Sequence, residues 1–199
     1  MYFEYDAGRR RLSIGPPAGA VKACTRRCAY NRESMREIPG WDEYYLSICK
    51  MVATRSKDPN TQIGCVVVGP AHEIRSTGYN SFPRGIRDNV PERLERPAKY
   101  LWIEHAERNA ICNAARAGTA TEGCTLYVEI MPCMDCARAI VQAGITEVAI
   151  SDERMEQYSS DYYNQHFGLV EVLFREAGVK VKRVAAARAA SAAPDSVGQ

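Results

Sequence analysis

Two short stretches constrain this chain more than anything else in it: His105-Ala106-Glu107 and Pro132-Cys133-Met134-Asp135-Cys136. Their side chains can act together only in a fold that brings two separate helix starts to one point. One imidazole, two sulfurs at C-x-x-C spacing and an acid just past the histidine are the parts of a metal centre that activates water. Zinc takes nitrogen and sulfur ligands, and a catalytic zinc keeps three from the protein and leaves one position for water. A helix beginning near Pro132 would put the sulfurs of Cys133 and Cys136 on one face. Proline suits a first helical position because it has no N–H to leave unpaired. The positive end of that helix favours thiolates over thiols. His105 is the expected third ligand, carried on a second helix whose first turn holds Glu107. Bound zinc lowers the pKa of its water to about 7. Glu107 is therefore read as a general acid–base and not as a ligand. Two plainer readings of C-x-x-C stand beside this one: a redox pair, and a structural zinc site with a fourth cysteine. Neither accounts for the acid after the histidine.

Around these motifs the chain alternates regularly. Trp41 to Thr54 has apolar residues at helical spacing (Tyr44, Tyr45, Ile48, Met51, Val52) and is expected to be the first helix. Thr61–Val68 and Glu73–Tyr79 read as an antiparallel strand pair around Gly69-Pro70. Ser81 to Leu101 is polar and punctuated by proline, a long loop whose length makes it a functional candidate. A helix over Glu104–Ala117 closed by Gly118, a strand over Cys124–Ile130 and a helix over Cys133–Ala143 follow. A strand at Glu147–Ile150, a helix near Tyr163–Ala177 and a last strand near Val179–Val184 complete the pattern. A hairpin followed by βαβ units predicts a three-layer α/β/α fold on a five-stranded mixed sheet. Its site is expected at neighbouring strand ends.

At 199 residues the chain holds one domain with a sizeable core. Residues 39–184 are expected to form it. Residues 1–38 read as an arginine-rich arm and 185–199 as an alanine-rich tail. Cys24 and Cys28 in the arm form only a weak metal half-site, and His72 and His166 read as surface or core residues. The net charge of +2 is too small to imply a nucleic-acid partner. No apolar run approaches the length of a membrane span. The N-terminus has no secretory apolar core, and Glu4 and Asp6 read against a transit peptide. Several of the eight cysteines, Cys65 and Cys112 among them, sit in apolar stretches, which fits buried reduced thiols in a cytoplasmic protein.

The chain closely resembles the deoxycytidylate deaminase family of the cytidine-deaminase-like superfamily, from about Asp42 to Val184. The H-x-E and P-C-x-x-C motifs carry the superfamily resemblance. It rests as well on the stretch from Arg55 to Gly64, on Phe82-Pro83-Arg84-Gly85 and on Gln142-Ala143-Gly144-Ile145, and Ser56-Lys57-Asp58-Pro59 together with Gly78-Tyr79-Asn80 narrow it to the nucleotide-level branch. The resemblance implies the cytidine-deaminase-like fold and zinc-dependent hydrolytic deamination of dCMP to dUMP. It also implies substrate contacts at Asn80 and Ala106 and a homo-oligomer, with a hexamer as one form. Ser56 and Lys57, in the short link between helix and strand, are well placed to offer a hydroxyl and an ammonium to a nucleotide phosphate. Two departures matter. Ser81 follows Asn80 where many relatives have glycine, in a neighbourhood that contributes to a triphosphate effector site in regulated members. The stretch Ser81–Trp102 holds no cysteine or histidine for a second zinc, so one zinc per subunit is expected. Deaminases of polynucleotides and of free nucleosides share the zinc site and remain the alternatives.

Overall fold

Cys65-Val66-Val67-Val68 is the centre of the molecule, and its side chains alternate between two separate cores. The structure is a computed structural model that describes residues 38–158 and 161–185. The arm before residue 38, with Cys24 and Cys28, and the tail after residue 185 lie outside the described residues. Five strands, β1 (Gly64–Val68), β2 (Ile74–Tyr79), β3 (Thr125–Val128), β4 (Glu147–Ser151) and β5 (Lys180–Val184), stand in the order β2-β1-β3-β4-β5. The β1 strand pairs antiparallel with β2 and β3, while β3–β4 and β4–β5 are parallel. This is the expected five-stranded mixed sheet. Lysines 180 and 182 and Arg183 on β5 blunt that edge against further pairing.

Among the described residues six α-helical segments accompany the sheet: α1 (Trp41–Ala53), α2 (Lys99–Trp102), α3 (Ala106–Ala117), α4 (Met134–Gln142), α5 (Asp152–Met155) and α6 (Asp161–Ala177). On one face α1 covers Val66, Val68, Tyr127 and Ala149. On the other, Cys65, Val67, Leu126, Val128, Val148 and Ile150 meet residues of α3, α4 and α6. The buried stripe of α1 is Tyr45, Leu46, Cys49 and Ala53. Tyr44 and Met51, expected inside, face out, with Met51 70% exposed. Apolar residues ring this helix, so spacing alone did not decide which stripe meets the sheet.

Two features aim α3 at the site. A Cβ at Gly78 would lie 2.3 Å from Ala106 O and Ala110 N, so only glycine lets the start of α3 lie this close on β2. Gly118, at φ +67, then ends α3 in the left-handed conformation that glycine adopts without strain. The long loop contains a 3-10 turn at Pro91–Arg93 and α2, and is pinned at its base by an isolated bridge. Ser81 N–H donates to Glu104 O at 3.0 Å and Glu104 N–H to Ser81 O at 2.8 Å, which delivers His105 beside the end of β2. Helix α5 was not expected; Ser151 caps it by accepting from Arg154 N–H, ahead of the acids Asp152 and Glu153. No helix among the described residues is long and apolar enough to cross a membrane. The six described cysteines are all free, and Cys112 is exposed: Ala110 and Ala114 face the core, leaving the position between them outward.

Candidate metal centre

His105 and Cys133 are each the N-cap of their helix, not its first-turn residues, with extended backbone at ψ 155° and 169°. The expected starts at Glu104 and Pro132 are therefore corrected. Pro132 lies just outside α4, where Ala137 N–H makes the bond to Cys133 O that opens the helix, at 2.8 Å. Both sulfurs sit at that positive helix end, as expected. His105 Nδ1 faces them at 3.4 Å from Cys133 Sγ and 3.5 Å from Cys136 Sγ. The three ligand atoms lie within 4.8 Å of one another, and among the described residues no other histidine, cysteine or acid group is gathered this way. A fourth protein ligand, which a structural zinc would need, is missing from the group.

The charges suit a dication. The Cys136 thiol beside Cys133 holds the Cys133 pKa down to about 3, with His105 adding to the effect and burial opposing it. The same shared hydrogen bond, together with burial, pushes the Cys136 thiol far up. A metal bound there would take both sulfurs as thiolates and release their protons. His105 is raised, chiefly by its hydrogen bond to Cys133. One imidazole and two sulfurs at this spacing fit zinc. Arg108 ties the two helix starts together: it pairs with Glu104 one turn back and reaches Asp135 Oδ2 at 3.5 Å, between the two cysteines. Glu107, in the first turn of α3, is 4% exposed, and burial raises its pKa, with His105 opposing.

These residues open into a hollow of about 640 Å³, within the range of small-molecule sites. Its wall brings Asn80, Ala106, Glu107, His105 and Cys133 together, along with Asp58, Thr61, Lys99 and, from α6, His166. His166 is not part of the ligand group, and His72 stacks on Trp41 at 4.2 Å. Ser56 and Lys57 do not line this hollow. The Ser56 hydroxyl donates to Asn80 O at 2.8 Å and accepts from Asp58 N–H. Lys57 pairs with Asp88 at 2.7 Å and lines a neighbouring hollow of about 280 Å³ with Arg55 and Arg84. The Asn80 amide accepts from Ile63 N–H and donates to Thr61 O, both at 2.8 Å. It therefore holds the Thr61–Ile63 wall as well as lining the hollow.

Sequence reasoning missed the buried pair Lys99–Asp58, 2.8 Å apart and each 5% exposed. Burial works to raise the Asp58 pKa, but the hydrogen bond from Lys99 and the N–H groups of Asn60 and Thr61 outweigh it, and the net shift is down. A carboxyl depressed in the folded state stabilises above its unfolded pKa of about 4 and loses that contribution as the pH falls further. Asp58→Asn should therefore flatten the acid limb of the stability curve. Chemical unfolding midpoints measured between about pH 5 and 3 check this, and an unchanged slope would contradict it.

A three-layer α/β/α chain with a one-histidine, two-cysteine centre at two helix N-termini, and a buried acid beside it, belongs to the class of zinc-site deaminases. Residues 39–152 match the family described as the cytidine and deoxycytidylate deaminase zinc-binding region. The chain belongs to that family. It is 38% identical to human deoxycytidylate deaminase over 142 residues, 68% of this chain and 79% of that one. It is 36% identical to an uncharacterised deaminase of Aliivibrio fischeri over 144 residues, 72% of this chain and 93% of that one. The fold superposes on the crystal structure of the cyanophage S-TIM5 dCMP deaminase in complex with dCMP and dUMP. The TM-score there is 0.57 at 21% identity, covering 75% of this chain and all of that one.

Proposed function

We propose that this protein hydrolyses dCMP to dUMP and ammonia, supplying dUMP for thymidylate synthesis. The observation that carries the reading is the buried Glu107, which shares one nucleotide-sized hollow with His105 and Cys133 of the His105-Cys133-Cys136 group. The family and its deoxycytidylate-named relatives supply the substrate class. His105, Cys133 and Cys136 hold one zinc, which when bound supplies a Lewis acid strong enough to ionise water near neutral pH.

The chain's own residues do the rest. In the net reaction water adds its oxygen to C4 of cytosine, the C4–N bond breaks and the amine departs as ammonia. Glu107 takes a proton from the attacking water and delivers protons to ring N3 and to the leaving amine. Its burial excludes the bulk water that would otherwise compete as proton partner. Asn80 and the backbone of Ala106 face the same hollow and hold the sugar and base in register with that carboxyl. All of these residues lie within 39–184, which we take as the catalytic unit, working in the cytoplasm as a homo-oligomer. Ammonia release from a panel of cytosine, adenine and guanine nucleosides and nucleotides tests the reading. Deoxycytidylate should give the highest kcat/KM; a higher value for a free nucleoside or an adenine compound would contradict it.

A further inference from the structure

We propose that Lys99 is the residue that meets the substrate's phosphate and so sets this site's preference for nucleotide over nucleoside, an inference that rests on the deoxycytidylate reading above. Lys99 lines the hollow that also holds His105 and Glu107. An ammonium has three N–H donors. Among the described residues Lys99 uses one, to Asp58 Oδ2 at 2.8 Å. The acceptor side of the pair is already filled, since Asp58 Oδ1 takes Asn60 N–H at 2.9 Å and Thr61 N–H at 3.2 Å. Beside that bond the ammonium has the Tyr100 ring 5.7 Å from Nζ, a contact that takes up no lone pair, so N–H donors of a buried cation remain for an anion that enters the hollow.

A cation withdrawn from water with one acceptor gains strongly when further anionic oxygens arrive. A phosphate brings them, and a nucleoside does not. The ion pair also fixes the flexible lysine side chain before any ligand binds, so little ordering remains to be done on binding. Arg96, exposed and lining the same hollow, adds a second cation for the dianion. Lys57 has neither property, being exposed and paired with Asp88 in the neighbouring hollow.

Removing Lys99 alone would strand a buried carboxylate, so the first test replaces both partners, Lys99→Met with Asp58→Asn, leaving no unpaired charge. Lys99→Gln, which keeps a donor to Asp58 but not the charge, is the second variant. The readout is kcat/KM for dCMP divided by kcat/KM for deoxycytidine. Loss of a charge-assisted hydrogen bond should lower this ratio about 10- to 150-fold, mainly through KM for dCMP. Lys99→Arg should retain most of the preference. An unchanged ratio, with both substrates falling together, would overturn the proposal and leave Lys99 as wall support. A parent enzyme with no preference for dCMP would instead defeat the nucleotide reading itself, and the parent's own ratio reports that separately.

Discussion

Glu107→Gln is expected to lower dCMP turnover by about 10⁴-fold, the upper end for a general acid–base, because Glu107 is the buried carboxyl that stands with the ligand residues His105 and Cys133 in the hollow. The physical case is the contrast between shape and chemistry. Glutamine matches glutamate in size, so the first turn of α3 and its packing on Gly78 should survive. An amide cannot take a proton from water and return it to a leaving amine. Zinc content and thermal unfolding should stay near those of the parent. A Glu107→Gln enzyme retaining a tenth of the parent's turnover would refute the role.

Cys136→Ala should be comparably severe by another route. Cys136 is fully buried at the third residue of α4, and its sulfur is one of three ligand atoms with no substitute among the described residues. Disturbing a residue behind a ligand already weakens metal binding about 10- to 100-fold, and loss of a ligand should exceed that. Purified Cys136→Ala protein should carry little zinc and show no measurable deamination. Structural zinc peptides gain on the order of 10 kcal/mol from their metal. Here two apolar cores pack on the sheet and neither includes His105, Cys133 or Cys136, so the unfolding temperature should fall far less. Zinc held with the parent's affinity, measured by competition with a chromophoric chelator, would contradict the ligand assignment.

The ligand set could be read from the sequence because histidine and cysteine at these spacings have few structural uses, and an acid beside them has fewer. The five-stranded mixed sheet was legible for a related reason: β-branched runs stopped by Gly-Pro and Gly read as a hairpin followed by βαβ units, while the strand order β2-β1-β3-β4-β5 came only with the structure. What could not be read was which residue caps a helix. His105 and Cys133 are caps and not first-turn residues, a difference of one or two positions that propensity does not resolve. The inward stripe of α1 was misjudged because Tyr44 and Met51 are as apolar as the residues that are buried. The wall opposite chemistry was hidden more deeply. Asp58 and Lys99 are 41 positions apart with no periodic relation, and the loop carrying Lys99 reads as polar connection. The sequence pointed to Ser56 and Lys57 in the same link. The fold turns Lys57 toward Asp88 and uses the Ser56 hydroxyl to hold Asn80.

The most direct test of zinc-dependent deoxycytidylate deamination is to strip the metal with a chelator and restore zinc stepwise while recording ammonia release from dCMP. Activity should be absent in the metal-free protein, rise linearly with added zinc and level off at one ion per subunit. Full turnover by metal-free protein, or a plateau reached without any deamination of dCMP, would contradict the account.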